Sequence, residues 1–367
     1  MKATILQSNF SKAINVVSRV VGTRTTLPVL NNILLSIDKG KIKLSATDLE
    51  VAITTQVIGK IDDSGKVTIP ARLLSDFVHN NSDEQISIET KDLSVNLRSD
   101  RFEATIQGID ADEFPTIPDM DKDAFCELAG KDLIDVLKKV TISAANDETR
   151  PVLAGVYMKF EGKSAIFAAT DSYRLSEKKI ALSKEVEKKE IIVPARTMNE
   201  LLRILSGEMV EKVKLIAEEN QISFVVADTQ IVSRLIEGNF PNYEQIIPKS
   251  SKINVKAPTS ETLSAIKMSA LFAKDMANNI KIICNKDGMT VKSATTGAGS
   301  TTSHVKANVS GGEIEVSFNA RYLLDVINIL PDEDIVLSFN DEASAGVIKS
   351  EKDKEFVYLV MPLRTEQ

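Results

Sequence analysis

Side chains that could carry out acid–base, nucleophilic or metal chemistry are few and widely spaced in this chain. The two histidines, His79 and His304, have no glutamate at metal-motif spacing and no nucleophile signature nearby. The two cysteines, Cys126 and Cys284, form neither a C-x-x-C pair nor a disulfide framework. We therefore expect no catalytic centre, no metal and no cofactor, and two free thiols in a reducing, cytoplasmic compartment.

Sequence patterns of nucleotide sites are missing or incomplete. Gly297-Ala298-Gly299 lacks the third glycine and the following helix of a dinucleotide fingerprint, and no G-x-x-x-x-G-K-[ST] segment is present. Asp48 and Asp171 occupy matching repeat positions, which indicates turns at strand ends and not an acid–base pair. The sequence thus predicts a binding protein and not an enzyme.

One arginine recurs three times together with its surroundings. The segment VTIPARLL at Val67–Leu74 returns as IIVPARTM and EVSFNARY, which places Arg72, Arg196 and Arg321 at intervals of about 125 residues. Each arginine is expected in the first turn of a helix, where the helix macrodipole disfavours a cation. A cation kept at that position in three repeats indicates a role other than local stability.

Other landmarks recur at the same spacing and indicate repeated domains. The tetrapeptide SATD ending at Asp48 corresponds to AATD ending at Asp171, and Phe114-Pro115 corresponds to Phe240-Pro241. A period of this length is that of a domain and not of a solenoid repeat. We predict three tandem copies of one α+β domain, at residues 1–120, 121–248 and 249–367.

Hydrophobic periodicity predicts two helices in each domain, with strands in most of the remaining chain. The six helices are expected at Asn9–Val21, Ala71–His79, Lys131–Thr141, Arg196–Ser206, Ser260–Phe272 and Ala320–Leu330. Ser8 or Asn9 is expected to cap the first helix. Leu73 and Phe77 are expected among the buried residues of the second. Each domain is then two halves, each with one helix followed by about three strands.

The charge of the chain is unevenly distributed. Its net charge of −7 argues at first against nucleic acid, but the six predicted helices contain ten Lys and Arg and six Asp and Glu. If the helices pack on one side of the strands, they form a basic surface within an acidic exterior. For any single helix, a solvated face explains its cations equally well. A protein-interaction scaffold without a DNA role is the other alternative, which the charge partition disfavours.

The repeated segments resemble a known family. The threefold repeat, TDSYRL at Thr170–Leu175, FPNY at Phe240–Tyr243 and VMPLR at Val360–Arg364 are similar to the bacterial DNA sliding clamp, the β subunit of DNA polymerase III. The resemblance covers essentially the whole chain. It implies a non-catalytic processivity factor of DNA replication: a head-to-tail homodimeric ring with helices inside around duplex DNA, sheets outside, and no membrane association.

The charge pattern and the resemblance provide three sets of candidate residues. Candidate sequence-independent DNA contacts are Lys12, Arg19, Arg24, Arg72, Lys138, Arg196, Arg203 and Arg321. The resemblance implies a pocket for short peptides formed by Leu153, Thr170, Ser172, Tyr173, Arg174, Leu175, Pro241, Ile246, Val360, Met361, Pro362 and Leu363. By family position, the dimer contacts are Phe77, Phe102, Leu271 and Phe272.

The peptide pocket implies several partner proteins. The resemblance implies that these peptides are segments of partner proteins. The implied partners are the catalytic subunit of DNA polymerase III, the clamp loader, other polymerases and repair proteins. Arg174 is expected at the rim of the pocket, where it would pair with an acidic or amide group of a peptide. Because the chain has no nucleotide motif, an ATP-using partner is expected to open and load the ring.

Overall fold

A computed structural model of the chain describes residues 1–22, 27–38, 40–118, 120, 123–147, 149–207, 210–295, 299–330 and 333–363. Across these ranges the chain forms six α-helices, one pair in each predicted domain. They are α1 (Gln7–Val17), α2 (Ala71–Asn80), α3 (Gly130–Val140), α4 (Ala195–Gly207), α5 (Thr259–Ala273) and α6 (Ala320–Ile327). All six lie where the hydrophobic periodicity predicts a helix.

Strands make up most of the remaining described chain. The first nine are β1 (Lys2–Leu6), β2 (Asn32–Asp38), β3 (Lys41–Thr47), β4 (Val51–Val57), β5 (Gly59–Asp63), β6 (Gly65–Pro70), β7 (Gln85–Lys91), β8 (Ser94–Arg98) and β9 (Glu103–Gln107). The next six are β10 (Cys126–Ala129), β11 (Gly155–Thr170), β12 (Arg174–Pro194), β13 (Lys212–Ala217), β14 (Gln221–Val226) and β15 (Thr229–Arg234). The last nine are β16 (Ile253–Pro258), β17 (Asn279–Asn285), β18 (Gly288–Thr295), β19 (Gly299–Val305), β20 (Asn308–Ser310), β21 (Ile314–Asn319), β22 (Asp334–Phe339), β23 (Gly346–Ser350) and β24 (Phe356–Val360).

The start of α1 differs from the prediction. Ser8 and Asn9 lie inside the helix, and Leu6 precedes it without a side-chain cap. Instead, the Gln7 backbone N–H donates to Glu84 O at 2.9 Å, and Gln7 Nε2 donates to Val78 O at 2.7 Å. The backbone donor at this helix end is therefore satisfied by a tertiary contact, which a local capping pattern does not reveal.

The chain folds into two compact units. Unit one comprises residues 1–131 and 199–235, and unit two comprises residues 132–198 and 236–367. Unit one contains a five-stranded sheet in the order β5-β1-β7-β8-β9 and an eight-stranded sheet in the order β10-β13-β14-β15-β4-β3-β2-β6. In the larger sheet, Ala52 of β4 pairs with Val232 of β15, so strands from two of the predicted domains share one sheet.

Unit two also consists of two sheets with their helices. It contains a seven-stranded sheet in the order β11-β12-β24-β23-β22-β16-β20 and a four-stranded sheet in the order β19-β18-β17-β21. Leu175 of β12 pairs with Leu359 of β24, which again joins strands of two predicted domains. The strand pairs in both units are antiparallel, and in strands such as β16 and β17 buried residues alternate with partly exposed ones.

One burial prediction for α2 is wrong. The buried residues of this helix are Ala71, Leu74 and Val78. Leu73 is 54% exposed and Phe77 is only partly buried. Both are large apolar side chains one position before a buried residue. The periodicity identifies the apolar face correctly but cannot distinguish packing within the chain from a face left for another molecule.

Candidate nucleic-acid, peptide and dimer interfaces

The repeated arginine occupies the same helical position three times. Arg72, Arg196 and Arg321 are each the second residue of a helix, directly after a strand ending in Pro70, Pro194 or Asn319. All three arginines are exposed. Because the first turn carries the positive end of the helix dipole, this position disfavours a cation. The arrangement presents a guanidinium to solvent at each helix start.

The other candidate DNA contacts are also on exposed helix positions, apart from one that cannot be placed. Lys12, Lys138 and Arg203 are exposed. Arg19 is exposed in the 3-10 turn that follows α1. Arg24 lies outside the described residues.

Acidic side chains accompany some of these cations. Arg203 Nη1 donates to Glu200 Oε1 at 2.6 Å, and Arg19 Nη1 lies 4.0 Å from Glu200 Oε2. Arg72 Nε lies 3.9 Å from Asp76 Oδ2, although both side chains are largely exposed. Exposed ion pairs of this kind contribute little energy and exchange with other anions. Arg72 therefore remains able to contact phosphate, whereas Glu200 reduces the local field near Arg19 and Arg203.

Lys138 and its neighbour Lys139 have different environments. Lys139 is buried, and its Nζ lies 2.7 Å from Asp135 Oδ1 and 2.5 Å from Asp353 Oδ2. Asp353 also accepts from Lys178 Nζ at 2.5 Å. Burial alone would raise the pKa of Asp353, but hydrogen bonds from both lysines hold that pKa below its usual value. Lys139 therefore fixes α3 to the β23–β24 turn, while Lys138 remains available at the surface.

The candidate peptide pocket is organised by a turn between β11 and β12, here called the docking turn (Thr170–Arg174). Thr170 Oγ1 donates to Arg174 O at 2.6 Å and accepts from the Ser172 N–H at 3.1 Å. Asp171 Oδ1 accepts from the N–H groups of Tyr173 and Arg174, both at 2.9 Å. These bonds hold Ser172 at φ 78°, in the left-handed region. The turn projects Tyr173, 56% exposed, into solvent.

Arg174 does not have the environment that the sequence predicts. It is only 8% exposed, its Nε donates to Asp171 Oδ2 at 3.0 Å, and its Nη1 donates to Asp325 Oδ2 at 2.5 Å. Its guanidinium carbon also lies 4.5 Å from the ring centroid of Tyr322. The guanidinium is therefore not free at a rim, and the pairing of Arg174 with a peptide stays a prediction. Its charge is compensated within the chain, and it fixes the docking turn to α6.

Tyr322 is an aromatic neighbour of the pocket that sequence reasoning missed. Its ring stacks on Tyr173 with centroids 6.5 Å apart and an interplanar angle of 21°. The same ring also lies against the guanidinium of Arg174. The signal that could have identified it is its place directly after Arg321 in the third repeat. Tyr173 and Tyr322 together form an aromatic wall.

An apolar cluster supports the same pocket. Leu175 and Tyr243 are buried in a cluster with Leu359, and Leu153 is buried in the turn before β11. Tyr243 OH donates to Glu177 Oε2 at 2.7 Å, and burial followed by this hydrogen bond raises the tyrosine pKa. Above this base, Pro241 and Ile246 are exposed, Ile246 by 54%. A rigid base with exposed apolar side chains is suited to binding apolar anchors.

The end of β24 completes the pocket. Val360 is buried and pairs with Arg174. After it, the Met361 N–H donates to Tyr173 O at 2.8 Å and the Leu363 N–H donates to Ser317 O at 2.8 Å. Met361 is 41% exposed and Pro362 is partly buried. These two backbone hydrogen bonds hold the apolar segment Met361–Leu363 beside the docking turn. The Met361 side chain remains available to a ligand.

The candidate dimer residues lie beside outer strands of two sheets. Phe102 is 44% exposed and directly precedes β9, the last strand of the five-stranded sheet. Leu271 is 61% exposed on α5. A Cβ at Gly299 would lie 3.8 Å from Phe272 Cε1, so the Phe272 ring lies beside the start of β19, the outer strand of the four-stranded sheet. Phe77 is partly buried on α2.

Groups for catalysis are sparse in the part of the chain that the structure describes. His79 Nδ1 contacts Ser75 O at 2.7 Å, and His304 Nδ1 lies 3.1 Å from Thr290 Oγ1. Burial raises the pKa of Cys126 to about 11 and that of Cys284 to about 12. Among the described residues, no group of three or more His, Cys, Asp or Glu could hold a metal ion, and no helix is long and apolar enough to cross a membrane.

Models of three protein domains match the chain in tandem. The N-terminal domain of the DNA polymerase III beta subunit matches residues 1–118, the central domain matches 127–242 and the C-terminal domain matches 244–364. The beta sliding clamps of Staphylococcus epidermidis and Staphylococcus aureus are each 28% identical over 376 residues, with 100% of both chains covered.

Solved structures agree with these matches. The DNA polymerase sliding clamp from Bacillus subtilis superposes with a TM-score of 0.94 at 27% identity. A putative DNA polymerase III beta subunit from Eubacterium rectale superposes with a TM-score of 0.93 at 26% identity. Both comparisons cover 100% of each chain. The predicted fold class, α+β with three tandem clamp domains, is confirmed.

Proposed function

The chain belongs to the DNA polymerase III β subunit family, as its repeated motifs predict, and we propose that it encircles duplex DNA as a sliding clamp and tethers the replicative polymerase. It is a processivity factor of DNA replication and not a catalyst. In this role the protein supplies a topological link, while the polymerase supplies the chemistry. We place its domains at residues 1–120, 121–248 and 249–367.

The observation that carries this proposal is the exposed arginine at the second position of α2, α4 and α6. Three guanidinium groups at one repeat position would face phosphates in the same way if the helices line a hole. Phosphate contacts hold a protein on DNA without reading sequence. Because each contact is solvated and weak, the ring can move along the duplex while remaining linked to it.

The dimer follows from the exposed apolar residues beside two outer strands. Long open edges with apolar side chains are a liability in a monomer. A head-to-tail contact between the β9 region of one protomer and the β19 region of its partner would cover both, with Phe102 and Phe77 facing Leu271 and Phe272. Twofold symmetry repeats the contact and closes a ring of two chains.

We propose that the candidate peptide pocket described above, here called the docking pocket, receives short extended peptides of partner proteins. The partners are the catalytic subunit of DNA polymerase III, the clamp loader, other DNA polymerases and repair proteins. Met361, Ile246 and the aromatic wall are adaptable or rigid apolar surfaces suited to Leu and Phe anchors. Two buried anchors at about 1.5 to 3 kcal/mol each supply about 3 to 6 kcal/mol before ordering costs, so roughly micromolar affinity also requires backbone hydrogen bonds and further contacts along the peptide.

Primer extension tests the tethering function. On a long singly primed circle, the protein is expected to lengthen the products of one polymerase binding event when the clamp loader and ATP are present, because the chain has no nucleotide motif for loading itself. Omission of ATP is the matched control. Product lengths that do not change when the protein is added would contradict the proposal.

The expected site of action is the bacterial cytoplasm.

A further inference from the structure

The docking turn of unit two has a close copy in unit one. In the copy, Thr47 Oγ1 donates to Val51 O at 2.9 Å and accepts from the Leu49 N–H at 3.0 Å. Thr170 Oγ1 makes the same two bonds in the docking turn. Leu49 has φ 78°, the same value as Ser172. The non-glycine residue at a left-handed backbone position is therefore part of a repeated local structure.

The strand beside each turn is also equivalent. The Arg234 N–H donates to Glu50 O at 3.0 Å, as the Met361 N–H donates to Tyr173 O at 2.8 Å. In unit one this strand is β15, which pairs with β4, and in unit two it is β24, which pairs with β12. The copied turn thus has the backbone framework of the docking pocket but different side chains.

A cavity of about 140 Å³ opens beside the copied turn. Its lining includes Leu49, Ala52, Pro115, Ile117 and Arg234. Ala52 is buried, and Leu49 is 46% exposed. A volume of this size accommodates one aliphatic side chain, whereas a drug-sized ligand needs a larger pocket. The cavity is therefore suited to a single apolar anchor.

The charges at the mouth of this cavity differ from those of the docking pocket. Arg234 stands where the docking pocket has Met361, and the buried Val51 stands where it has Arg174. Arg234 Nη1 lies 3.9 Å from Glu50 Oε1, with the two side chains 62% and 63% exposed. An exposed pair at this distance is weak. Arg234 can therefore exchange Glu50 for the carboxylate of a ligand.

We propose that this second groove, formed by Leu49, Glu50, Val51, Pro115, Ile117 and Arg234, binds an extended acidic peptide segment of a partner protein. One aliphatic side chain of the peptide enters the cavity, and an adjacent carboxylate pairs with Arg234. The inference rests on the proposed peptide-docking role of the equivalent turn in unit two. With one anchor and one exposed ion pair, the affinity is expected to be no tighter than about millimolar, weaker than that of the docking pocket.

Methyl NMR spectroscopy of the full-length protein tests the second groove. The probe is the capped tetrapeptide Asp-Leu-Asp-Ala. It is expected to shift the methyl signals of Leu49, Val51 and Val232 with saturation at high concentration. Arg234→Glu should weaken this binding about tenfold because it replaces attraction by repulsion. Lys66→Glu, at an exposed position of β6 at the edge of the same sheet, is the matched charge control and should leave the binding unchanged.

Two results would overturn the second groove. One is an absence of saturable shifts at Leu49, Val51 and Val232 with the leucine probe, or equal shifts with Asp-Ala-Asp-Ala. The other is equal probe affinity for Arg234→Glu and the unsubstituted protein. The proposed docking pocket is assessed separately from the methyl signals of Leu153 and Leu175 with a Gln-x-x-Leu-x-Phe peptide. If that peptide does not bind the docking pocket, the shifts at Leu49, Val51 and Val232 still report separately on the second groove.

Discussion

At the scale of single residues, the position of a cation identifies its role better than the number of cations. Arg72, Arg196 and Arg321 accept an unfavourable interaction with the helix dipole, of about 0.3 to 1 kcal/mol each, and remain exposed. Arg174 has the opposite environment, because two carboxylates and an aromatic ring enclose it. The first three are suited to an external anion, and the fourth to holding two elements together.

Charge reversal of the repeated arginines tests the proposed DNA contacts. Arg72→Glu combined with Arg196→Glu is expected to weaken retention on DNA and to make it less dependent on salt, because each lost phosphate contact removes about 0.9 from the logarithmic salt slope. The measurement is DNA retention over a series of salt concentrations after loading. Lys41→Glu with Lys163→Glu, both at exposed strand positions, is the control. An unaltered slope in the arginine variant would place the DNA contacts elsewhere.

The buried thiols predict a pH dependence of stability. The raised pKa values, about 11 for Cys126 and about 12 for Cys284, mean that both thiols stay neutral in the folded protein when unfolded thiols ionise. Their contribution to stability is therefore complete below about pH 9 and decreases as pH rises through the folded pKa values, by at most about 1.4 kcal/mol per pH unit for each thiol. The measurement is denaturant unfolding over a pH series. The free energy of unfolding should fall more steeply with pH above about pH 9 for the unsubstituted protein than for its Cys126→Ala, Cys284→Ala variant. Parallel declines would contradict the burial argument.

At the scale of elements, the sequence predicts the helices well and the strands less completely. All six helices lie at the predicted segments, and five of them have a strong apolar period, whereas α5 has a weak one because Met268 and Leu271 are exposed. The sequence does not predict β1 and β5, because segments of five residues, Lys2–Leu6 and Gly59–Asp63, are too short for a distinct apolar period. Residues 155–170 form the single strand β11, which remains paired with β12 on both sides of Gly162 through two register shifts.

The sequence indicates which residues form the peptide pocket, but not all the contacts that these residues make. The repeat and the family resemblance suggested which segments meet, since those depend on chain order. The roles of Arg174 and Tyr322 depend on Asp325 and on ring stacking across about 150 residues of sequence. Such long-range contacts leave no local pattern. For the same reason, the exposure of Leu73 could not be read from the period of α2.

The segment after β24 tests the docking pocket at the scale of one element. Removal of residues 361–367 is expected to abolish binding of a Gln-x-x-Leu-x-Phe peptide while the fold remains, because Val360, the last buried strand residue, is kept. Met361→Ala should weaken binding about tenfold by removing a polarizable wall. The measurement is fluorescence anisotropy of labelled peptide. Met276→Ala, a similarly exposed methionine, is the control, and unchanged affinity of the truncated protein would refute the placement.

At the scale of the whole molecule, the exposed apolar residues beside β9 and β19 predict a dimer. Leu271→Ala with Phe272→Ala should produce monomers at low micromolar concentration, because it removes two large side chains from the proposed contact. Mass measurement by light scattering over a dilution series gives the oligomeric state. Ile58→Ala, which truncates another strongly exposed apolar residue, should remain dimeric. A dimer that persists in the double variant would locate the interface elsewhere.

The central claim is that the protein holds DNA by topology and not by affinity. Its most direct test is retention on nicked circular duplex, measured by gel filtration after loading, before and after one restriction cut. A ring that surrounds DNA cannot leave the closed circle but slides off a linear molecule, since its phosphate contacts are weak. The protein is therefore expected to elute with the circle and to separate from the linearised DNA. Equal retention on circular and linear DNA would contradict the clamp.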